Sequence, residues 1–99
     1  MRLTESERSI IKRILTETFG NDSFVYLFGS RADDSKRGGD IDLLVESPGY
    51  KIDEIQRIHA ITCIQKKIGL KKIDLIVTGD SSTDLRIVVK EAIKTGIRI

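Results

Sequence analysis

The apolar residues of this chain recur with two different periods, and the alternation of these periods predicts the secondary structure. The predicted helices are 4–19, 51–68 and 83–94, and the predicted strands are 24–28, 40–46 and 72–77. A short helix is predicted after the first strand, and the last three residues are predicted to be extended. Helices that alternate with strands in this way predict an α/β (α+β) fold, in which a small mixed sheet is flanked by helices.

Several local signals support these boundaries. Thr4 with Glu7 three residues later fits a capping box at the start of the first helix, and Gly69 suits the end of the second. A serine or threonine among residues 81–83 is predicted to cap the last helix. The isoleucines from position 52 to position 68 recur every three to four residues, which is typical of a helix packed on a sheet.

Size and composition narrow the classes of function. A chain of 99 residues predicts one domain, residues 1–99, and the net charge of +2 is too balanced for a dedicated nucleic-acid binder. The single cysteine excludes a disulfide framework within one chain. No stretch approaches the roughly 20 apolar residues of a membrane span, and the first residues lack the apolar region of a signal peptide. We therefore expect a cytoplasmic protein with no membrane contact.

Three aspartates stand in the predicted strands, where carboxylates are out of place unless they are paired or bind a metal. Asp40 and Asp42 are two residues apart, so their side chains leave the same face. Carboxylates this close repel each other, and a divalent cation such as Mg²⁺ removes that conflict. Asp74 joins them if its strand is a neighbour. The alternative for the first two aspartates is an exposed acidic strand face. For Asp74 the alternative is a salt bridge to a basic residue: Lys71, Lys72 or Arg37.

Gly29 and Ser30 follow directly after the first predicted strand. Glycine lets the backbone approach a phosphate closely, and a serine hydroxyl with free N–H groups at a helix start makes an anion site. One end of the domain therefore combines phosphate donors with carboxylates that bind a metal. That combination is the layout for nucleotidyl transfer from a triphosphate.

The segment GSRADDSKRGGDIDLLV, residues 29–45, carries a resemblance to a known family. Nine residues separate Gly29-Ser30 from Asp40-Ile41-Asp42, and the later strand KIDLIV holds a third aspartate. This pattern resembles the signature of the DNA polymerase β-type nucleotidyltransferase superfamily, and the short chain resembles its minimal nucleotidyltransferase (MNT) branch. The resemblance covers roughly residues 5–95 and implies the polymerase β-type nucleotidyltransferase fold.

The resemblance implies a role for each acid. Asp40 and Asp42 would bind two Mg²⁺ ions, and Asp74 would complete the first metal site and help to deprotonate the attacking hydroxyl. The metals would hold the α-phosphate of ATP for in-line attack, with release of pyrophosphate.

The same resemblance implies that Gly29 and Ser30 hold the β- and γ-phosphates and that Arg31 makes a further phosphate contact. For Arg31 the alternative is a solvated arginine on a helix surface.

Many MNT proteins are antitoxins of HEPN/MNT pairs that add AMP to a tyrosine of a HEPN-domain RNase toxin. The resemblance therefore implies ATP as substrate and a HEPN-domain toxin as partner. Two alternatives stay open: an MNT-fold antitoxin that acts by binding alone, and a transferase that modifies a small-molecule hydroxyl. The partner surface is predicted on helix 83–94 and the tail Ile97–Ile99, where apolar side chains exceed what the core can cover.

Overall fold

The computed structural model describes residues 2–32 and 39–99. In that part of the chain the elements, in order, are α1 (Glu5–Phe19), β1 (Phe24–Phe28), a 3₁₀ turn (Gly29–Arg31), β2 (Ile41–Glu46), α2 (Glu54–Ile68), β3 (Ile73–Thr78), α3 (Ile87–Thr95) and β4 (Ile97–Arg98). The α+β class is as predicted. None of the helices among the described residues has the length and apolarity needed to cross a membrane.

The strands form a mixed sheet in the order β3-β2-β1-β4. β1 runs antiparallel to β2 and β4, and β2 runs parallel to β3. The parallel register pairs Asp42 with Asp74, and the antiparallel register pairs Phe28 with Asp42. The sheet therefore brings two of the three predicted acids side by side, next to the point where β1 ends.

Alternate strand residues face opposite sides of the sheet, and both sides are covered. One face packs on α1 and α2, and its strand residues are Val25, Leu27, Ile41, Leu43, Val45, Ile73, Leu75 and Val77. On the other face, Val89 and Ala92 of α3 pack against Leu44. Asp42 and Asp74 project from this second face, because Asp42 lies two residues from Leu44 and pairs with Asp74. The acids thus lie beside α3 rather than in the main core.

The capping box predicted for α1 is confirmed. Thr4 Oγ1 accepts from the Glu7 N–H, and Glu7 Oε1 accepts from the Thr4 N–H, both at 3.0 Å. The other oxygen of Glu7 accepts from Lys71 Nζ, and this bond lowers the pKa of Glu7. Glu7 therefore both caps α1 and ties the helix to the segment that enters β3.

α2 begins later than predicted. Its first residue is Glu54, and Asp53 caps it by accepting from the Gln56 N–H at 3.0 Å. Its end at Gly69 is as predicted. Residues 51–53 therefore lie outside the helix. The Asp53 side chain bonds a free N–H of the first turn and so places the helix start at Glu54, three residues later than predicted.

The isoleucines at positions 52–68, whose spacing is typical of a helix packed on a sheet, do not all face the sheet, and Ile52 lies before α2. Ile64 is buried, but Ile52, Ile55 and Ile58 are 88%, 82% and 54% exposed. A helix has about 3.6 residues per turn, so side chains spaced by three residues are displaced by about 60° from one to the next around its axis. The row of isoleucines therefore turns away from the side of α2 that faces the sheet. On that inward side Gln56 donates to a carbonyl in the last turn of α1 at 2.8 Å. The start of α2 therefore presents apolar side chains to solvent.

α3 also begins later than predicted, and the predicted cap is wrong. It starts at Ile87, and its N-cap residue Arg86 makes no side-chain capping bond. Residues 81–83 instead belong to a turn, in which Asp80 Oδ1 accepts from the Ser82 N–H at 2.9 Å. The Asp84 side chain accepts from the Arg86 N–H at 3.0 Å and from the guanidinium of the same residue. These aspartates hold the chain in turns where the pattern predicted helix.

The hydrogen bonds of Asp84 predict that the free energy of unfolding falls at acid pH. Hydrogen bonds from the Arg86 side chain, its backbone and the Thr78 hydroxyl hold the pKa of Asp84 well below its ordinary 3.8. The unfolded chain therefore takes up this proton first as the pH falls, so the stabilisation is present above about pH 4 and is lost below it. We expect Asp84→Asn to lower the free energy of unfolding at pH 7 by about 1 kcal/mol. Urea unfolding of the wild type and Asp84→Asn between pH 7 and pH 2 measures the difference in their free energies of unfolding. A difference that does not shrink below about pH 4 contradicts the stabilising role of the Asp84 carboxylate.

Candidate active site

Asp42 and Asp74 form the centre of the candidate site. They are paired in the parallel register of β2 and β3, and Asp42 is half-buried while Asp74 is exposed. Burial raises the pKa of Asp42, and the hydrogen bond and charge of Asp74 raise it further, followed by the charge of Asp40. β3 buries Ile73, Leu75 and Val77 on its other face, so Asp74 is an exposed acid in a largely buried strand. The two carboxyl groups nevertheless meet, as the sequence predicted.

Asp40 lies at the margin of this pair. It directly precedes β2, and its carboxylate is 3.5 Å from Lys72 Nζ. Of the basic residues considered as partners of Asp74, Lys72 thus pairs with Asp40 and Lys71 with Glu7, and Arg37 lies outside the described residues. Within residues 2–32 and 39–99, no three His, Cys, Asp or Glu side chains come close enough to form a complete metal site. The three acids are therefore neighbours, but they do not converge on one point.

Gly29 lies directly against the acid pair. Its φ of +72° is in the left-handed region, and a Cβ built at this position runs into the Asp42 carboxylate. Only glycine fits both requirements, since it adopts this φ without strain and leaves room for the acid. Ser30 follows in the 3₁₀ turn, so the predicted phosphate-binding pair does stand next to Asp42. Phosphate binding by this pair remains a prediction.

Arg31 makes two backbone contacts. Its guanidinium donates to Arg2 O at 2.8 Å and to Gly39 O at 3.2 Å. The predicted phosphate contact of Arg31 stays untested, and the predicted short helix is present only as the turn Gly29–Arg31. Residues 33–38, where that helix would continue, lie outside the described part of the chain.

The acids fit a divalent cation by their chemistry. Asp42 and Asp74 offer adjacent carboxylate oxygens, which are the ligands that Mg²⁺ prefers, and Mg²⁺ usually takes its remaining ligands from water and phosphate. Burial and the repulsion from Asp74 and Asp40 both disfavour the negative charge on Asp42, and a bound cation relieves these effects.

Comparison with known families decides the identity. A family model described as a nucleotidyltransferase domain matches residues 8–95 of the chain. The chain belongs to the nucleotidyltransferase domain family. The matched range runs from α1 to α3 and includes the glycine–serine turn and all three acids. The resemblance to minimal nucleotidyltransferases is therefore confirmed at the level of the family, and the sheet and helices are consistent with a polymerase β-like nucleotidyltransferase fold. A search of curated proteins found no match.

A groove along β3 was not anticipated from the sequence of this nucleotidyltransferase. It has a volume of about 300 Å³ and is lined by Tyr50, Ile52, Glu54, Arg57, Leu75, Ile76, Val77 and Arg86. Arg57 donates to Leu75 O at 3.2 Å, and Arg86 donates to Val77 O at 2.8 Å. Both carbonyls point to the free edge of β3, since the carbonyls at the even-numbered positions Lys72 and Thr78 are the ones that accept from the chain of β2. The sequence signal that could have indicated the groove is Arg57, a charged residue within a row of isoleucines.

The groove begins beside the acid pair. Asp74 adjoins Leu75 in β3, and its charge contributes to the raised pKa of Arg57, after the larger effect of the Glu54 hydrogen bond. The lining of the groove therefore begins one residue along β3 from Asp74.

Proposed function

We propose that this nucleotidyltransferase transfers AMP from ATP to a tyrosine hydroxyl of a HEPN-domain RNase toxin and so acts as a cytoplasmic antitoxin. The observation that carries the proposal is the pairing of Asp42 with Asp74 directly against Gly29. This arrangement combines carboxylates for a metal with a turn whose backbone is accessible to phosphate.

The proposed reaction uses this chain's residues in distinct ways. Asp42 and Asp74, with Asp40 beside them, would hold the Mg²⁺ ions, two in the proposed mechanism. When bound, Mg²⁺ neutralises charge on the triphosphate. Gly29 and Ser30 would orient the β- and γ-phosphates.

In the transfer step the tyrosine oxygen forms a bond to the α-phosphorus, and the bond between the α-phosphorus and its bridging oxygen breaks. Pyrophosphate leaves with that oxygen. Asp74 would take the phenolic proton, because it is the more exposed of the two paired acids.

The surroundings of the groove favour a protein acceptor over a small molecule. Ile52 lines it and is 88% exposed, and Leu85 and Ile87, which are 83% and 84% exposed, are the chain neighbours of its lining residue Arg86. Exposed apolar side chains of this size, clustered beside polar groups, mark protein interaction surfaces. Part of this surface lies at the start of α3, within the predicted partner region. The tail contributes less than predicted, because Ile99 is buried and its N–H donates to Val25 O.

The direct test combines the purified chain, Mg²⁺, ATP labelled at the α-phosphate and the HEPN-domain product of a neighbouring gene. We expect label on a tyrosine of that protein and loss of its RNase activity. Neutralisation without label would favour an antitoxin that binds alone. Transfer only to small hydroxyl compounds would favour the small-molecule reaction. Either result contradicts the proposal.

Substitution in the groove tests how the acceptor docks. We expect Ile52→Thr to weaken binding of the HEPN-domain partner about tenfold, which corresponds to removing part of one exposed apolar contact. The free energy of unfolding should change by less than about 0.5 kcal/mol, because Ile52 is 88% exposed. Leu70→Thr is the matched control, since Leu70 is 95% exposed and lies outside both the groove lining and the predicted partner surface. Equal affinity of the two variants for the partner would show that the groove is not the docking surface.

A further inference from the structure

The Arg31 side chain joins three separate segments of the chain. Its guanidinium lies between the carbonyls of Arg2, at 2.8 Å, and Gly39, at 3.2 Å. Arg2 precedes α1, Arg31 ends the 3₁₀ turn after β1, and Gly39 directly precedes Asp40. We call these residues, Arg2, Arg31 and Gly39, the arginine clamp.

Arg2 holds the turn from the opposite direction. Its N–H donates to Arg31 O at 2.8 Å, and its Nη2 donates to Ser30 O at 3.2 Å. The turn itself contains one backbone hydrogen bond in the described structure, from the Ala32 N–H to Gly29 O at 3.2 Å. Such a short turn gains most of its rigidity from outside contacts, because one internal hydrogen bond fixes few dihedral angles.

We infer that Arg31 is a positioning residue for nucleotidyl transfer, which fixes the Gly29–Ser30 turn relative to Asp40. The turn and the acids lie on different segments, and among the described residues the clamp bonds the turn to Gly39, the residue before Asp40. A planar guanidinium has five N–H donors in a fixed geometry, so it can bond two carbonyls at once. A lysine keeps the charge but lacks that geometry. The role differs from the direct phosphate contact that the resemblance implies.

Hydrogen exchange in the absence of nucleotide is the first test. We expect the Ala32 amide to exchange at least about tenfold faster in both Arg31→Lys and Arg31→Ala than in the wild type. The Leu15 amide, in the buried part of α1, should keep its rate and so report that the fold is intact. Arg13→Ala is the control, since Arg13 is exposed on α1. An unchanged rate at Ala32 would overturn the inference, because a residue that only contacts phosphate leaves the free protein unaltered.

Affinity for ATP in the presence of Mg²⁺ is the second test. The clamp predicts that Arg31→Lys and Arg31→Ala weaken ATP binding by similar factors. It also predicts weaker binding in Arg2→Pro, which removes both the N–H that bonds Arg31 O and the guanidinium that bonds Ser30 O, and leaves the Arg31 charge in place. Wild-type affinity in Arg31→Lys or in Arg2→Pro would instead overturn the positioning role. If the Leu15 amide shows that the Arg31 variants unfold, Ala32 exchange in Arg2→Pro decides the question alone.

Discussion

Asp42→Asn is expected to lower nucleotidyl transfer by about three orders of magnitude while the protein remains folded. The substitution keeps the size of the side chain and removes one negative charge from the proposed metal ligands. Transfer of label from ATP to the HEPN-domain partner measures the loss. The free energy of unfolding without metal should be unchanged or higher by about 0–1 kcal/mol, because repulsion from Asp74 and Asp40 is relieved at a partly exposed site.

The control for Asp42→Asn is Asp22→Asn, which removes a charge from an exposed turn. It should retain wild-type transfer. The wild type should also gain thermal stability from Mg²⁺ with ATP, and Asp42→Asn should gain much less, since only binding to the folded state shifts the equilibrium. A folded variant that transfers at the wild-type rate would exclude Asp42 from the metal site.

Gly29→Ala is expected to abolish most of the transfer activity and to cost about 1–2 kcal/mol of stability. The stability loss arises because φ at this position is +72°, where an L-residue is strained. The activity loss has a separate cause, since the new methyl group occupies the place of the Asp42 carboxylate. The Asp42 side chain can move more easily than the backbone at position 29, so its carboxylate would rotate away from the position in which it meets Asp74. The same transfer assay and urea unfolding measure the two effects.

Gly49→Ala separates the two causes. Gly49 also has a positive φ, +77°, but a Cβ there meets no atom within 4 Å. It should therefore lose similar stability and keep its activity. Equal losses of activity in the two variants would mean that backbone strain alone, and not the displaced acid, explains the effect of Gly29→Ala.

The sequence predicted the strands and the acid pair well, because their signals are local or follow from the alternation of side chains between the two faces of a strand. Asp42 and Asp74 each stand at a polar position in an apolar strand, and pairing of the two strands is enough to bring them together. The capping box of α1 was equally readable, since Thr4 and Glu7 contact each other within one turn.

The sequence did not predict features that depend on contacts between distant segments. The start of α3 moved because Asp84 bonds Thr78 and Arg86, and the hydroxyl partner lies in β3. The exposure of Ile52 and Ile55 depends on which side of α2 meets the sheet, which the spacing of isoleucines alone misjudged. The bonds from Arg31 to Arg2 and Gly39 likewise join positions that no short pattern connects.

The close approach of Gly29 and Asp42 constrains how related sequences can diverge. Any side chain at position 29 displaces the acid, so only in a lineage that has already lost the carboxylate at position 42 does replacing the glycine cost backbone strain alone. Substitution of Asp42 should therefore precede substitution of Gly29. A descendant that retains the acid but not the glycine should be rare, and a descendant that has lost both should be an inactive protein whose remaining selection is for its fold or its partner.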